Sequence, residues 1–271
     1  MTLRMRVSLA RPACLAALAL AATSCTFPVE GQFAGRSLAD RADPTRTIVL
    51  IYNHGFSRDT AGTYKPGVPP ILQLAVDRNP DVVLFSQVRN ASRLERPHHS
   101  DYIESAVELF RRRDGVPLEN IILVGQSCGG WGSLQAAAFV YPGIGGVLAF
   151  APTCHGQLPH SSTVQRARES EIAQLAERVR FPGVIFLYEG DSYYDLADWE
   201  GFETRGPRAP DLRLERLARG RVLEVCSRCG RDSHGAMSDA RFGAAFFPSH
   251  VQPLIDRVRE RIRARSERIS L

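Results

Sequence analysis

The stretch from Ile121 to about Val140 restricts the fold of this chain more than any other. Four apolar residues, Ile121-Ile122-Leu123-Val124, lead directly into Gly125-Gln126-Ser127-Cys128-Gly129, and a helix from about Gly130 to Val140 follows at once. So short an apolar run suits a strand buried on both faces, the kind a parallel sheet contains. Turning from strand to helix within five residues forces the central one into a strained backbone conformation. Side chains two before and two after it would collide with neighbouring backbone, which is why glycine stands at 125 and 129. Such a turn lifts the Ser127 hydroxyl clear of the sheet at a helix N-terminus, where free N–H groups favour negative charge. The plain alternative is a glycine-rich turn with an inert serine; the placement between strand and helix favours the catalytic reading.

The same alternation runs along the chain. Thr47–Tyr52, Val82–Phe85, Gly146–Phe150 and Val184–Tyr188 read as buried strands, and Arg221–Val225 as the last strand. Helices are expected near 71–76, over 101–113 with Ser100 and Asp101 as caps, and over 164–180 with Ile172, Leu175 and Val179 facing inward. Two more are expected near 211–218 and from about Pro248 to Arg265. Strands alternating with helices imply an α/β domain over 46–271: a doubly wound, mostly parallel sheet with helices on both faces. At 44% hydrophobic and 23% charged residues, the chain has the composition of a globular protein with a sizeable core, not of a disordered one.

The N-terminus reads as an export signal over 1–24, with Arg4, Arg6 and Arg11 ahead of the short apolar stretch Ala13 to Ala22. That stretch is too short to span a membrane. Ala22-Thr23-Ser24-Cys25 resembles a bacterial lipobox, which would lipidate Cys25; cleavage after Ala21 or Ser24 without lipidation fits the same residues. Residues 25–45 look like an irregular tether. Localisation is then the periplasm, or a lipid-anchored membrane surface of a bacterium. Cys128, Cys154, Cys226 and Cys229 remain in the domain, and an even number in an oxidising compartment favours disulfides over metal binding by Cys226-Ser227-Arg228-Cys229. Cys226–Cys229 with Cys128–Cys154 is one of three pairings. The net charge of +5 is carried almost wholly by arginine. Its C-terminal run, Arg257 to Arg268, reads as the solvated face of a last helix, with an anionic membrane surface as the alternative. Export and the lack of a basic–aromatic groove pattern argue against a nucleic-acid module.

A serine hydroxyl needs a base to take its proton, and the base needs a carboxylate to orient it. In this architecture the base belongs after the last strand, where Arg231-Asp232-Ser233-His234-Gly235 offers His234. The acid belongs after the strand ending at Tyr188, in Glu189-Gly190-Asp191-Ser192-Tyr193-Tyr194-Asp195. Asp191 at the strand mouth is the first choice, Asp195 the alternate and Asp198 a distant third. The oxyanion hole should pair the N–H of Cys128 with that of Phe56, where Gly55 turns the chain back after the first strong strand. Tyr193, Tyr194 and Trp199 can wall a substrate site or pack their loop onto the sheet. His54 can line the site too, or brace the oxyanion loop.

His54-Gly55, the Gly125–Gly129 turn, Tyr188 to Tyr193 and Asp232 to Gly235 together resemble the α/β-hydrolase superfamily, in the chain order Ser…Asp…His. The Leu187–Tyr193 segment and Ser233-His234-Gly235 look most like the dienelactone-hydrolase-like branch. The resemblance covers about 46–265 and implies serine-dependent hydrolysis of carboxylic esters or related small acyl compounds, without metal or organic cofactor. Two departures stand out: that branch commonly carries a cysteine nucleophile, and the N-terminal part is short, so a sheet of about six or seven strands is expected. A peptidase, a thioesterase or a catalytically inactive binding lipoprotein are the alternatives.

Overall fold

A computed structural model describes residues 29–41, 43–56, 63–64, 67–90, 100–204 and 211–269; Cys25 and the signal segment lie outside them. Seven strands form the main sheet: β1 (Gly31–Phe33), β2 (Ile48–Asn53), β4 (Val82–Gln87), β6 (Ile121–Gln126), β7 (Gly146–Phe150), β8 (Gly183–Tyr188) and β9 (Leu212–Leu217). A separate short ladder joins β3 (Thr63–Tyr64) to β5 (Arg89–Asn90). The strand order is β1-β4-β2-β6-β7-β8-β9, with β1 antiparallel and the rest parallel. Every residue of β2, β4, β7 and β8 is buried, which requires cover on both faces. Two groups of helices supply it. One comprises α2 (Asp101–Glu108), α3 (Cys128–Gln135), α4 (Ser162–Arg178) and α5 (Glu200–Thr204); the other comprises α1 (Pro70–Arg78), α6 (Arg219–Val225), α7 (Ala240–Phe246) and α8 (Gln252–Ile269). No described helix is long and apolar enough to cross a membrane.

The strands predicted from continuous apolar runs appear where expected: the one over Thr47–Tyr52 is shifted by one residue, the one over Gly146–Phe150 is unchanged, and the others are longer by one or two residues. Two elements are exchanged. Residues 211–218 hold the edge strand β9, not a helix, and Arg221–Val225 belongs to α6, not to a strand. In β9, Leu212 and Leu214 alternate with Arg213 and Glu215, the period of a strand with one wet face. In α6, Val222 and Val225 are buried three apart while Leu223 stays exposed, which is helical spacing. The segment read as a tether is not wholly irregular either: β1 pairs with the outer edge of β4, and Leu38 is buried.

Four of the arginines of α8 are not a free basic face, while Arg263 and Arg268 stay exposed. Arg257 pairs with Asp211, Arg259 with Asp81, Arg261 with the Gly145 carbonyl, and Arg265 with Glu119 and the Thr45 carbonyl. Each partner sits at or just before the start of a strand. Burial alone would raise the Asp81 carboxyl, but the hydrogen bonds and charge of Arg259 outweigh it and hold the group below the usual range.

The sheet order places the candidate site. From β2 the parallel strands continue to β4 on one side, with β1 at its outer edge, and from β6 to β7, β8 and β9 on the other. The direction reverses between β2 and β6, and ligands of open α/β sheets bind beyond the C-terminal strand ends at such a point. Asn53 and Gly125 are register partners there. The loop after β2 and the turn after β6 therefore face each other.

Candidate active site

Ser127 sits at the turn between β6 and α3 with φ 56° and ψ −126°, a left-handed conformation rare for a residue with a side chain. The flanking glycines are needed for space. A Cβ on Gly125 would lie 2.3 Å from the Gly129 carbonyl carbon, and one on Gly129 would lie 1.9 Å from the Asn53 oxygen. Cys128 opens α3, so its N–H belongs to the first turn, whose donors have no acceptor within the helix. Across the crevice, Gly55 approaches so closely that a Cβ there would lie 2.9 Å from the Ser127 Cβ. Phe56 follows, half-buried. The β2 loop therefore comes within contact distance of the Ser127 side chain at Gly55.

Asp191 and His234 meet. His234 Nδ1 lies 2.7 Å from Asp191 Oδ2, with the Asp191 side chain fully buried. Asp191 Oδ1 accepts the Tyr193 N–H at 2.8 Å. Burial pushes the Asp191 carboxyl above the ordinary aspartate range, over the opposing pull of the His234 hydrogen bond and charge. Asp195 takes no part: it is exposed and caps the turn at Leu196–Trp199. The histidine loop also reaches the serine turn, since Gln126 Nε2 donates to the His234 carbonyl at 3.2 Å. Tyr193 packs against the His234 ring at a tilt of 36°, 4.3 Å between centroids.

Three expected lining residues are absent from the surface of the crevice. Tyr194 is 1% and Trp199 0% exposed, and His54 is buried with Nδ1 2.6 Å from the Gly55 oxygen. Tyr194 accepts the Tyr188 N–H through its hydroxyl, so it braces the strand mouth, and His54 braces its own loop. The aromatic wall reduces to Tyr193.

What packs Tyr194 and Trp199 inward is a residue the sequence reading passed over. Arg168 of α4 is wholly buried between Trp131, Tyr194 and Trp199. Its Nε donates to Asp198 at 2.8 Å and its Nη1 to the Thr153 hydroxyl at 2.9 Å. Thr153 in turn donates its N–H to the Ser127 carbonyl, and Cys154 is bonded to Cys128. The guanidinium therefore ties the acid loop to the loop beside the serine. A signal existed: position 168 continues the inward stripe of 172, 175 and 179. Arg168→Met would leave Asp198 without its cation and is expected to cost about 3–5 kcal/mol in urea unfolding. Pairing it with Asp198→Leu should recover most of that loss; a double variant no better than the single one would contradict this account.

The cysteines pair as Cys128–Cys154 and Cys226–Cys229. The first joins the start of α3 to the loop after β7; the second closes the base of the histidine loop. Among the described residues no group of His, Cys, Asp and Glu is arranged to hold a metal ion.

No protein-family model and no curated sequence matches the chain. Solved structures do. A monoacylglycerol lipase from Paleococcus ferrophilus is 13% identical with TM-score 0.55, over 85% of this chain and 100% of its own. A chain assigned as a dipeptidyl aminopeptidase IV from Bacteroides ovatus ATCC 8483 is also 13% identical, with TM-score 0.54, over 82% of this chain and 36% of its own. At such identity the likeness speaks for architecture alone. With seven mostly parallel strands and a serine turn at the reversal of strand order, the chain has the α/β-hydrolase fold.

Proposed function

We propose that this chain is a serine hydrolase that cleaves carboxylic esters through an acyl-enzyme. The observation that carries the reading is the buried Asp191 carboxylate bonded to His234 Nδ1, on a loop that reaches the turn carrying a serine held at positive φ. The bond to Nδ1 leaves Nε2 as the ring nitrogen that can act as base. In this reading Nε2 takes the Ser127 proton as Oγ attacks the acyl carbon. The carbonyl oxygen becomes an anion held by the N–H groups of Cys128 and Phe56. Collapse expels the alcohol, which receives the proton from His234; water, deprotonated by the same nitrogen, then releases the acid and restores Ser127. Asp191 stays ionised and stabilises the imidazolium. The steps use only groups of the chain and water.

Substrates are modest in size and approach a crevice bordered by Tyr193. The lipase among the structural neighbours supports an ester. The peptidase supports the second reading, an amide or thioester substrate on the same residues, because the fold does not dictate the leaving group. Within the superfamily we place the chain with the dienelactone-hydrolase-like branch, on a serine instead of cysteine nucleophile. Two disulfides support an oxidising compartment, in keeping with export and with lipidation at Cys25 as the membrane link.

Labelling with a fluorophosphonate tests the chemistry. The folded protein should be modified stoichiometrically on the peptide containing Ser127, located by mass spectrometry, with loss of hydrolysis in parallel. A folded chain that stays unlabelled would mean a binding protein without catalysis. Short-chain aryl esters, thioesters and aminoacyl amides, compared by kcat/KM, separate the substrate classes.

A further inference from the structure

Asp191 and His234 stand on different loops, so their 2.7 Å bond lasts only while the loops keep register. We propose that Asp232 is the positioning residue that sets this register, holding the acid loop and the base loop together through one carboxylate. The proposal rests on the hydrolase reading above. Asp232 Oδ1 accepts the Ser192 N–H at 3.1 Å and the His234 N–H at 2.9 Å, and Oδ2 accepts the Ser192 hydroxyl at 2.7 Å. Ser192 directly follows the acid, and the His234 N–H belongs to the base itself. A single half-buried side chain thus grips the backbone on either side of the Asp191–His234 bond. Both oxygens are used, and both loops supply donors to them. A neutral side chain of the same shape keeps most of this, because the amide oxygen of asparagine can accept both N–H groups.

The loops have a second tie that does not involve Asp232. Ser233 donates its N–H to the Gly190 carbonyl and its hydroxyl to the Glu189 carbonyl, and Arg219 donates to the Ser233 hydroxyl and to the Gly230 carbonyl. Cys226–Cys229 anchors the base of the same loop. Removing the Asp232 carboxylate therefore leaves the loops attached but frees Ser192 and His234 to shift. Displacements on the scale of an ångström at reacting groups cost about 100-fold in rate.

The experiment compares wild type, Asp232→Ala, Asp232→Asn, Asp232→Glu and Ser127→Ala on a short-chain aryl ester. Asp232→Ala should lose about 100-fold in kcat with KM nearly unchanged, and Asp232→Asn should restore most of it. The downfield proton resonance of the His234 Nδ1–H bond should broaden or vanish in the alanine variant and return in the asparagine variant. Wild-type kcat in Asp232→Ala overturns the proposal, as does an asparagine variant as impaired as alanine, which would point to charge instead of alignment. If Asp232→Ala does not fold, Asp232→Glu decides: it keeps the charge but is one methylene too long, so an undiminished kcat overturns the proposal. Ser127→Ala separates the two levels, since full turnover there would overturn the hydrolase reading itself.

Discussion

Ser127→Ala is expected to lower kcat by about 10⁶-fold, the loss that removal of a triad serine typically brings. Melting temperature should stay near that of the wild type. The backbone explains why the two effects separate. Alanine keeps the Cβ, and with it the cost of holding φ at 56°, of the order of 1–3 kcal/mol. Glycine relieves that cost, so Ser127→Gly should be equally inactive yet more stable by up to about 1 kcal/mol in urea unfolding. A pair of variants alike in activity but ordered in stability would demonstrate strain held at this position for the sake of the hydroxyl. Retention of turnover in Ser127→Ala would remove the nucleophile from the mechanism. Equal stability of the two variants would remove the strain argument alone.

Asp191→Asn is expected to lower kcat by about 10⁴-fold at neutral pH, because the amide can hold the imidazole in the wrong tautomer and offers no charge to the imidazolium. Its stability should behave differently from its activity. The carboxyl is buried, and burial raises its pKa above the ordinary aspartate value. Between the unfolded and the folded pKa, the native state binds more protons than the unfolded one, so wild-type stability falls as pH rises through that window. Above it the native state carries the full cost of an ionised, desolvated group, which asparagine lacks. The variant should therefore compare best with wild type at neutral and alkaline pH, and wild type should gain on it as pH falls through the raised pKa. Urea melts across the acid range would show this gain. A wild type that instead loses ground to the variant on acidification would mean the carboxylate is stabilised, not strained, by its surroundings.

The parts of the structure legible in the sequence share a physical reason. β2, β4, β6, β7 and β8 are buried on both faces or nearly so, and such strands can only be written as continuous apolar runs. β9, at the sheet edge, buries fully only Leu217, so its pattern is as weak as that of the short helix after it, and the two were exchanged. β1 offers only Gly31-Gln32-Phe33, too little for any periodicity. In the site, Asp191 was distinguishable from Asp195 because it stands directly at the mouth of β8, where a loop has had no length in which to wander. His234 followed from chain order. Asp232, Thr153 and Arg168 were not legible as site residues, because what they hold lies on loops brought together only by the folded sheet. The aromatic residues misled for a related reason: nothing in Tyr193-Tyr194 says which ring turns inward, and the answer is set by a buried guanidinium some 26 residues earlier in the chain, counted from Tyr194 to Arg168.

The ion pairs of α8 have a consequence for how such a protein can change. One rim of the sheet, where strands begin, is bolted to a single helix by Arg257, Arg259, Arg261 and Arg265. The opposite rim carries the candidate site on loops tied to one another through Asp191, Asp232 and Ser233. Substitutions that retune recognition can therefore accumulate along one border while the mechanical frame, riveted along the other, remains untouched.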